Sequence, residues 1–208
     1  LGLSQGDEFI TTPRSFIATT SAGVLLGAKP VFADIDLDSG NITADFIAPL
    51  ITKKTKLISV VHLAGWPANM IEICELAKSH NIKVVEDCAQ AHGAMINNKN
   101  VGTFGDISSW SFCQDKIIST GGEGGMLSTN NKNIFEEIRS YRDHGKNFDA
   151  LTRFSSSREF KYIHESFGTN YRLSEMQSCI GRIQLRKLKS WTERRTQNAK
   201  ILIEISVM

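Results

Sequence analysis

Charge of one sign is nearly absent as an excess: 24 Lys and Arg against 22 Asp and Glu leave a formal net charge of +2 over 208 residues. So small an imbalance gives no electrostatic case for nucleic acid or an anionic membrane as a partner. Long apolar runs are missing, so nothing in the sequence would span a bilayer. No basic-then-apolar signal segment opens the chain. The four cysteines, Cys74, Cys88, Cys113 and Cys179, form neither a C-x-x-C pair nor zinc-finger spacing. Three of them lie in apolar or periodic segments, where a buried, reduced thiol is the default. That usage fits a cytosolic, hence cytoplasmic, setting. There is no internal repeat and no low-complexity segment, and no residue set is singled out for a metal. A Gly-x-Gly-x-x-Gly turn after the first strand is also lacking, since Thr12-Pro13-Arg14-Ser15 stands there. This argues against a nicotinamide-binding domain.

What is present is an alternation of strand and helix patterns. Glu8 to Thr12 reads as a short strand ended by Pro13, and Ser15 as the cap of a helix reaching about Leu26, with Gly27 after it. Val31 to Ala33 is the next strand. Thr43 caps a second helix with Phe46, Ile47, Leu50 and Ile51 on one face. Leu57 to Val61 is a strand. Trp66-Pro67 opens a helix, with Pro67 in its first turn and Met70, Ile73, Cys74 and Ala77 as its buried stripe. Asn81 ends that helix, and Ile82 to Glu86 is a strand closing on Asp87. Ile107 to Phe112 and Gly125 to Thr129 are two further strands, joined by a connection that carries Lys116 and the run Gly121-Gly122-Glu123-Gly124-Gly125. A helix over about Asn131 to Arg142 follows. Asp149 to Ser166 reads as an irregular loop or flap, and Ser174 caps a long helix with Met176, Cys179, Ile180 and Ile183 inward.

Strands alternating with helices of this length imply crossover connections and a mostly parallel α/β sheet. Ligands of such sheets sit at the carboxyl ends of the strands. Asp87 occupies one such end, Ser111 and Lys116 another. A lysine held on a short connection can be partly desolvated, which favours its use as a nucleophile; on residue type alone a solvated lysine in a tight loop is the plainer reading of Lys116. A lysine amine condenses with an aldehyde, and a carboxylate pairs with a protonated ring nitrogen. Pyridoxal 5'-phosphate (PLP) requires both, together with phosphate ligands such as serine hydroxyls and backbone N–H groups.

Two segments, Glu86-Asp87-Cys88-Ala89-Gln90-Ala91-His92-Gly93 and Ser111-Phe112-Cys113-Gln114-Asp115-Lys116 with Gly122-Glu123-Gly124-Gly125, resemble the signatures of the DegT/DnrJ/StrS group. Gly6-Asp7-Glu8, Asp34-Ile35-Asp36, Val61-His62-Leu63-Ala64-Gly65 and Asn170-Tyr171-Arg172-Leu173-Ser174-Glu175 match as well, so the resemblance reaches about Ala199. The group comprises PLP-dependent aminotransferases acting on nucleotide-linked keto-sugars with an amino-acid donor such as glutamate. The resemblance implies the type I, aspartate-aminotransferase-like large domain over residues 1–190, with residues 191–208 starting a linking helix. It also implies that Lys116 holds the cofactor and shuttles a proton, and that Asp87 faces the pyridine nitrogen. By the same resemblance Gln90 lies near the ring hydroxyl, Ser111 on the phosphate and Phe16 stacked on the ring. Asn170 would reach the phosphate of a neighbouring subunit, which implies a homodimer with shared sites.

Each residue has a plainer use. Asp87 and Asn170 suit caps or turns, Gln90 and Ser111 suit satisfying backbone groups, and Phe16 suits a core. His92 suits either an approach to the site or a hydrogen-bonded structural role, and Glu123 either a contact with the site or fixing the glycine loop. The family's opening helical segment with its Ser-Gly-Thr-like phosphate loop has no counterpart here, nor has its smaller C-terminal domain. Leu1 is not an initiator methionine, and the last residues stop inside a helical run. A fragment of a longer enzyme is therefore expected. Two relatives with other roles remain as alternatives: a PLP-dependent sugar dehydratase, in which histidine replaces the lysine, and a non-catalytic PLP-binding regulator.

Overall fold

Glu8–Thr11 forms β1, a buried strand whose residues alternate between the two faces of a sheet. It belongs to a computed structural model that describes residues 1–153 and 163–206. Helix α1 (Ile17–Val24) follows, then β2 (Lys29–Phe32), α2 (Ala44–Ile47) and β3 (Thr55–Val61). Next come α3 (Met70–Ser79), β4 (Lys83–Asp87), the small hairpin β5 (Met95–Ile96) and β6 (Lys99–Asn100), and β7 (Ile107–Ser111) with β8 (Gly125–Ser128). The chain then turns helical through α4 (Lys132–Tyr141), α5 (Phe148–Arg153) and α6 (Glu175–Ser206).

Six strands make one sheet in the order β2-β1-β3-β4-β7-β8. Every pairing is parallel except the last, in which β7 and β8 run antiparallel. The mostly parallel α/β expectation therefore holds. The two faces are covered unequally. Ile10, Ile58 and Val84 stand in register on one face and build the main core with Ile47, Met70 and Ile73 from α2 and α3. Phe9, Leu57 and Val85 point the other way and form a smaller cluster with Ala28. Gly23 of α1 lies against the Phe9 ring there, so close that a Cβ would sit 2.4 Å from Cε1.

Several local expectations fail for identifiable reasons. Ser15 is not the cap of α1: that position is Phe16, without a side-chain bond, and the Ser15 hydroxyl meets Thr19 instead. Pro67 is not in the first turn of α3. A 3₁₀ turn over Leu63–Gly65, with Ala64 at φ 54, precedes it, and α3 starts after Asn69. Phe46, expected on the buried face, is exposed, because α2 ends after one turn and Pro49 continues it as a 3₁₀ segment. The loop expected from Asp149 begins as helix α5, and residues 154–162 lie outside the described residues.

The largest difference concerns α6. Ser174 does cap it, its hydroxyl accepting from the Gln177 N–H at 3.3 Å. Yet Met176, Cys179, Ile180 and Ile183 are exposed. The face turned to the sheet runs through Gln177, Gly181, Gln184 and Leu188. Gln177 Nε2 donates to the Glu123 carbonyl, Gln184 Oε1 accepts from the Ser119 N–H, and Gly181 touches Thr120. Hydrogen bonds and a small residue dock the helix, and its apolar stripe is left largely exposed, with Ile180 at the margin against Gly121. The helix passes unbroken through Ser190 and Trp191, and Met208 lies outside the described residues. Among the described residues no helix is long and apolar enough to cross a membrane.

Candidate active site

Parallel pairing brings the ends of β3, β4 and β7 side by side: Val61 is in register with Asp87, and Asp87 with Ser109. Strand periodicity puts Asp87, Ser109 and Ser111 on the face that carries α1. Asp87 is half-buried there. Its Oδ2 accepts from the Thr19 hydroxyl at 2.7 Å, and its Oδ1 accepts from the Ala89 N–H at 3.1 Å. The first bond ties α1 to β4, so Phe16, one turn before Thr19, stands at the same rim. Phe16 is 70% exposed, not core.

Gln90 follows β4 through a turn closed by the Ala91 N–H on the Cys88 carbonyl. Its Oε1 accepts from the Ala64 N–H at 2.7 Å, which leaves Nε2 as the donating end. Ser111 Oγ accepts from the Cys113 N–H at 3.3 Å, so its own hydrogen remains for a ligand. Lys116 sits on the β7–β8 connection, with its backbone N–H on the Cys113 carbonyl. Its side chain is only 19% exposed, and Nζ lies 3.7 Å from Asp115 Oδ1. The connection is anchored by buried Ile118 and Thr120, and Gly121 and Gly122 take φ of 82° and 145°, which favour glycine. Glu123 serves this loop, its carboxylate accepting from the Cys113 thiol at 3.3 Å and thereby pushing that thiol's pKa up.

Asn170 stands apart from these contacts. It is exposed and pairs with Asp143 in an isolated antiparallel bridge. Asp143 in turn holds Lys146 at 2.9 Å and the Arg172 guanidinium.

His92 departs from the hydrogen-bonded structural role suggested above. It is buried, yet among the described residues neither ring nitrogen has a hydrogen-bond partner. Its ring packs against Trp110 and Phe112, with centroids 5.4 and 5.8 Å away. Burial, and then the charge of Lys116, hold its pKa below the usual histidine value, while the Ser111 backbone opposes this without closing a hydrogen bond. His92 lines a cavity of about 460 Å³ between the sheet and α6, together with Trp110, Phe112, Thr120 and Leu188. That cavity is separate from the strand-end crevice: none of Phe16, Asp87, Gln90, Ser111 or Lys116 lines it. Trp110 and Phe112 alternate with Ser109 and Ser111 along the chain, so they point to the opposite face.

Behind Asp87 lies a pair that sequence reasoning missed. Glu86, fully buried, accepts from the N–H groups of Gly102, Phe104 and Gly105, each at 2.7 Å, and from His62 Nε2 at 3.1 Å. Burial alone would push its carboxyl up; the bonds from His62, Gly105, Gly102 and Phe104 outweigh that and hold it below the ordinary range. His62 Nδ1 accepts from the Ala68 N–H, so the ring is the Nε2–H tautomer. His62, Glu86 and Cys88 offer atoms within 4.8 Å of one another. With both ring nitrogens committed, His62 has no lone pair left for a metal. Its place beside the Val61-His62 motif and the Glu86-Asp87 step was the one signal available. Thr19 was also missed, although a hydroxyl four residues after Ser15 and flanking Phe16 was visible.

As a set, these groups suit a planar, phosphorylated, cationic heteroaromatic: a shielded amine, a carboxylate with free lone pairs, an amide donor, a hydroxyl donor and an open aromatic face. The comparisons agree. The sequence profile of the DegT/DnrJ/EryC1/StrS aminotransferase family matches residues 1–205. The solved structure of the aminotransferase from Psychrobacter cryohalolentis is 52% identical with a TM-score of 0.92, over 95% of this chain and 50% of that one. GDP-perosamine synthase of Escherichia coli O157:H7 is 40% identical over 97% of this chain and 52% of its own. A GDP-4-keto-6-deoxymannose-3-dehydratase structure with bound GDP-perosamine is 31% identical with a TM-score of 0.88, over 97% and 54%. The chain thus spans about half the length of the relatives it matches. The fold is that of the type I PLP-dependent transferase large domain, with a mostly parallel sheet and flanking helices. The chain belongs to the DegT/DnrJ/EryC1/StrS aminotransferase family.

Proposed function

We propose that the full-length protein is a PLP-dependent aminotransferase that moves an amino group from an amino acid, glutamate first among candidates, to a nucleotide-linked keto-sugar. The observation that carries this reading is the placement of Lys116 and Asp87 after neighbouring strands of one parallel sheet. The setting is polysaccharide or glycoside biosynthesis in the cytoplasm.

PLP, when bound, supplies an electron sink for the charge that develops at the substrate carbon. Lys116 Nζ is the attachment point and then the base that moves a proton at that carbon; positioned acid–base groups contribute about 10²–10⁴-fold. Asp87 keeps the ring nitrogen protonated through the lone pairs that Thr19 and Ala89 leave free. Gln90 Nε2 donates to the ring hydroxyl, the Ser111 hydroxyl to the phosphate, and Phe16 covers one ring face. Asn170 completes the phosphate site of a partner subunit in a homodimer. Residues 1–190 form the cofactor domain, and residues 191–208 lead toward a second, smaller domain. A lysine at position 116 favours amino transfer over dehydration.

The test is borohydride reduction of the full-length protein with PLP, followed by peptide mapping. Label on Lys116 is expected, and label on any other lysine refutes the assignment. Conversion of bound PLP to its amino form by glutamate then separates the enzyme from a non-catalytic PLP binder.

A further inference from the structure

The side chains of Ser15, Thr19 and Asp87 lie in a line across the gap between α1 and β4. Thr19 Oγ1 is 2.7 Å from Asp87 Oδ2, and Ser15 Oγ is 2.9 Å from Thr19 Oγ1. All three residues are half-buried. A threonine hydroxyl has one hydrogen. The carboxylate takes it, so in the Ser15–Thr19 pair Ser15 donates. The direction of every hydrogen in the line follows from the charge at its end.

The last torsion of an aspartate side chain is broad. Here each oxygen has its own anchor, Oδ1 the Ala89 N–H and Oδ2 the Thr19 hydroxyl. Two anchors of different origin, one on the β4 turn and one on α1, fix the plane of the carboxylate. Each oxygen keeps a lone pair for a third donor. Phe16 lies between the two hydroxyl residues in sequence, so the line also ties the exposed aromatic ring to the carboxylate.

We propose that Ser15 and Thr19 form a two-hydroxyl relay of positioning residues, which sets the Asp87 carboxylate in plane with the cofactor's ring nitrogen. This rests on the proposed PLP function. Thr19 acts through Asp87. Ser15 acts through Thr19, by orienting its single hydrogen.

The experiment uses the full-length protein loaded with PLP labelled at the ring nitrogen with ¹⁵N. Three quantities are read: the nitrogen chemical shift, the PLP dissociation constant and the Tm of the apo form. Thr19→Val keeps the shape of the side chain and removes the donor. It is expected to move the ¹⁵N resonance and weaken PLP about tenfold, the effect of losing one hydrogen bond to a charged group. Thr19→Ser restores both. Ser15→Ala moves both in the same direction by less, and serves alone if Thr19→Val does not fold. In an Asp87→Asn background, Thr19→Val has no further effect on either quantity. A change in apo Tm with the ¹⁵N shift and PLP affinity unmoved would overturn the relay and leave Thr19 a packing residue. Equal effects with and without the Asp87 carboxylate would overturn it too. Borohydride labelling of Lys116 in wild type and in Thr19→Val separates the two ideas. If the label is present and the nitrogen signal does not respond, the relay alone fails; if wild type carries no label there, the PLP reading fails and the relay with it.

Discussion

Replacing Glu86 by glutamine changes one atom at the most committed carboxylate in the sheet. Oε1 accepts from the Phe104 and Gly105 N–H groups, and Oε2 accepts from Gly102 N–H and His62 Nε2. An amide offers one oxygen. Whichever way it is turned, two buried donors face an NH₂ group. His62 cannot absorb the change by moving its hydrogen, because Nδ1 would then confront the Ala68 N–H. An orphaned buried donor costs about 1–3 kcal/mol, so Glu86→Gln should cost about 2–6 kcal/mol. That is a large part of the roughly 5–15 kcal/mol available to a folded domain. A fall in Tm of about 5 °C or more follows.

The pH dependence gives a second reading of the same group. The folded-state pKa of Glu86 is depressed. Its contribution is therefore intact above the unfolded carboxylate value, and it is lost as the pH falls through the lower folded-state value. Thermal melts of the full-length protein from about pH 3 to 8 should show a wild-type Tm that drops on the acid side. The Glu86→Gln protein should start lower and lose less over the same acid range. Equal melting temperatures at neutral pH, or parallel acid limbs, would refute the assignment of four donors to this carboxylate.

Other perturbations are sharper in kind. Gly23→Ala puts a methyl 2.4 Å from Cε1 of the buried Phe9 ring, and should cost about 1–3 kcal/mol in denaturant unfolding. Asp143→Asn removes the charge that holds Lys146 and Arg172. It should cost about 1–3 kcal/mol in the same assay and loosen the Asp143–Asn170 bridge, seen as faster exchange of the His144 and Tyr171 amides that close it. Because hydrogen bonds from Lys146 and Arg172 hold the Asp143 pKa low against partial desolvation, that contribution too fades as the pH falls into the acid range.

Features governed by near neighbours in sequence were legible. Thr43 caps α2 by accepting from the Phe46 N–H, and Asn81 takes a left-handed φ of 54° where α3 must stop. The stripe Met70, Ile73 and Ala77 is buried as its spacing implies. Periodicity failed at α6 because it identifies an apolar face without identifying what lies opposite. The docked face is the one with Gly181 and two glutamines, chosen by a close approach to Thr120 and two hydrogen bonds. The hairpin of β5 and β6 went unread although Asn97 and Asn98, both at positive φ, are a strong turn signal. At the site, Asp87, Ser111 and Lys116 could be placed on one rim because α/β alternation implies parallel strands, whose carboxyl ends lie on the same edge. Thr19 and the His62–Glu86 pair needed contacts between residues far apart in sequence, which residue type alone does not disclose.

The antiparallel pairing of β7 and β8 has a consequence for how this site can change. Ser111 faces Gly125 across the last rung, and the Thr120 N–H reaches back to the Phe112 carbonyl. The segment bearing Lys116 is thus a loop closed by a clasp onto β7 and held besides by Gln177 and Gln184 of α6. Asp87 is fixed from elsewhere, by α1 and its own turn. The two sides of the crevice rest on different supports, the clasp and α6 for the lysine loop, α1 and the β4 turn for the carboxylate. Lys116 and Asp87 are thus carried by separate sets of bonds, so that one side of the crevice can be reshaped while the other keeps its setting.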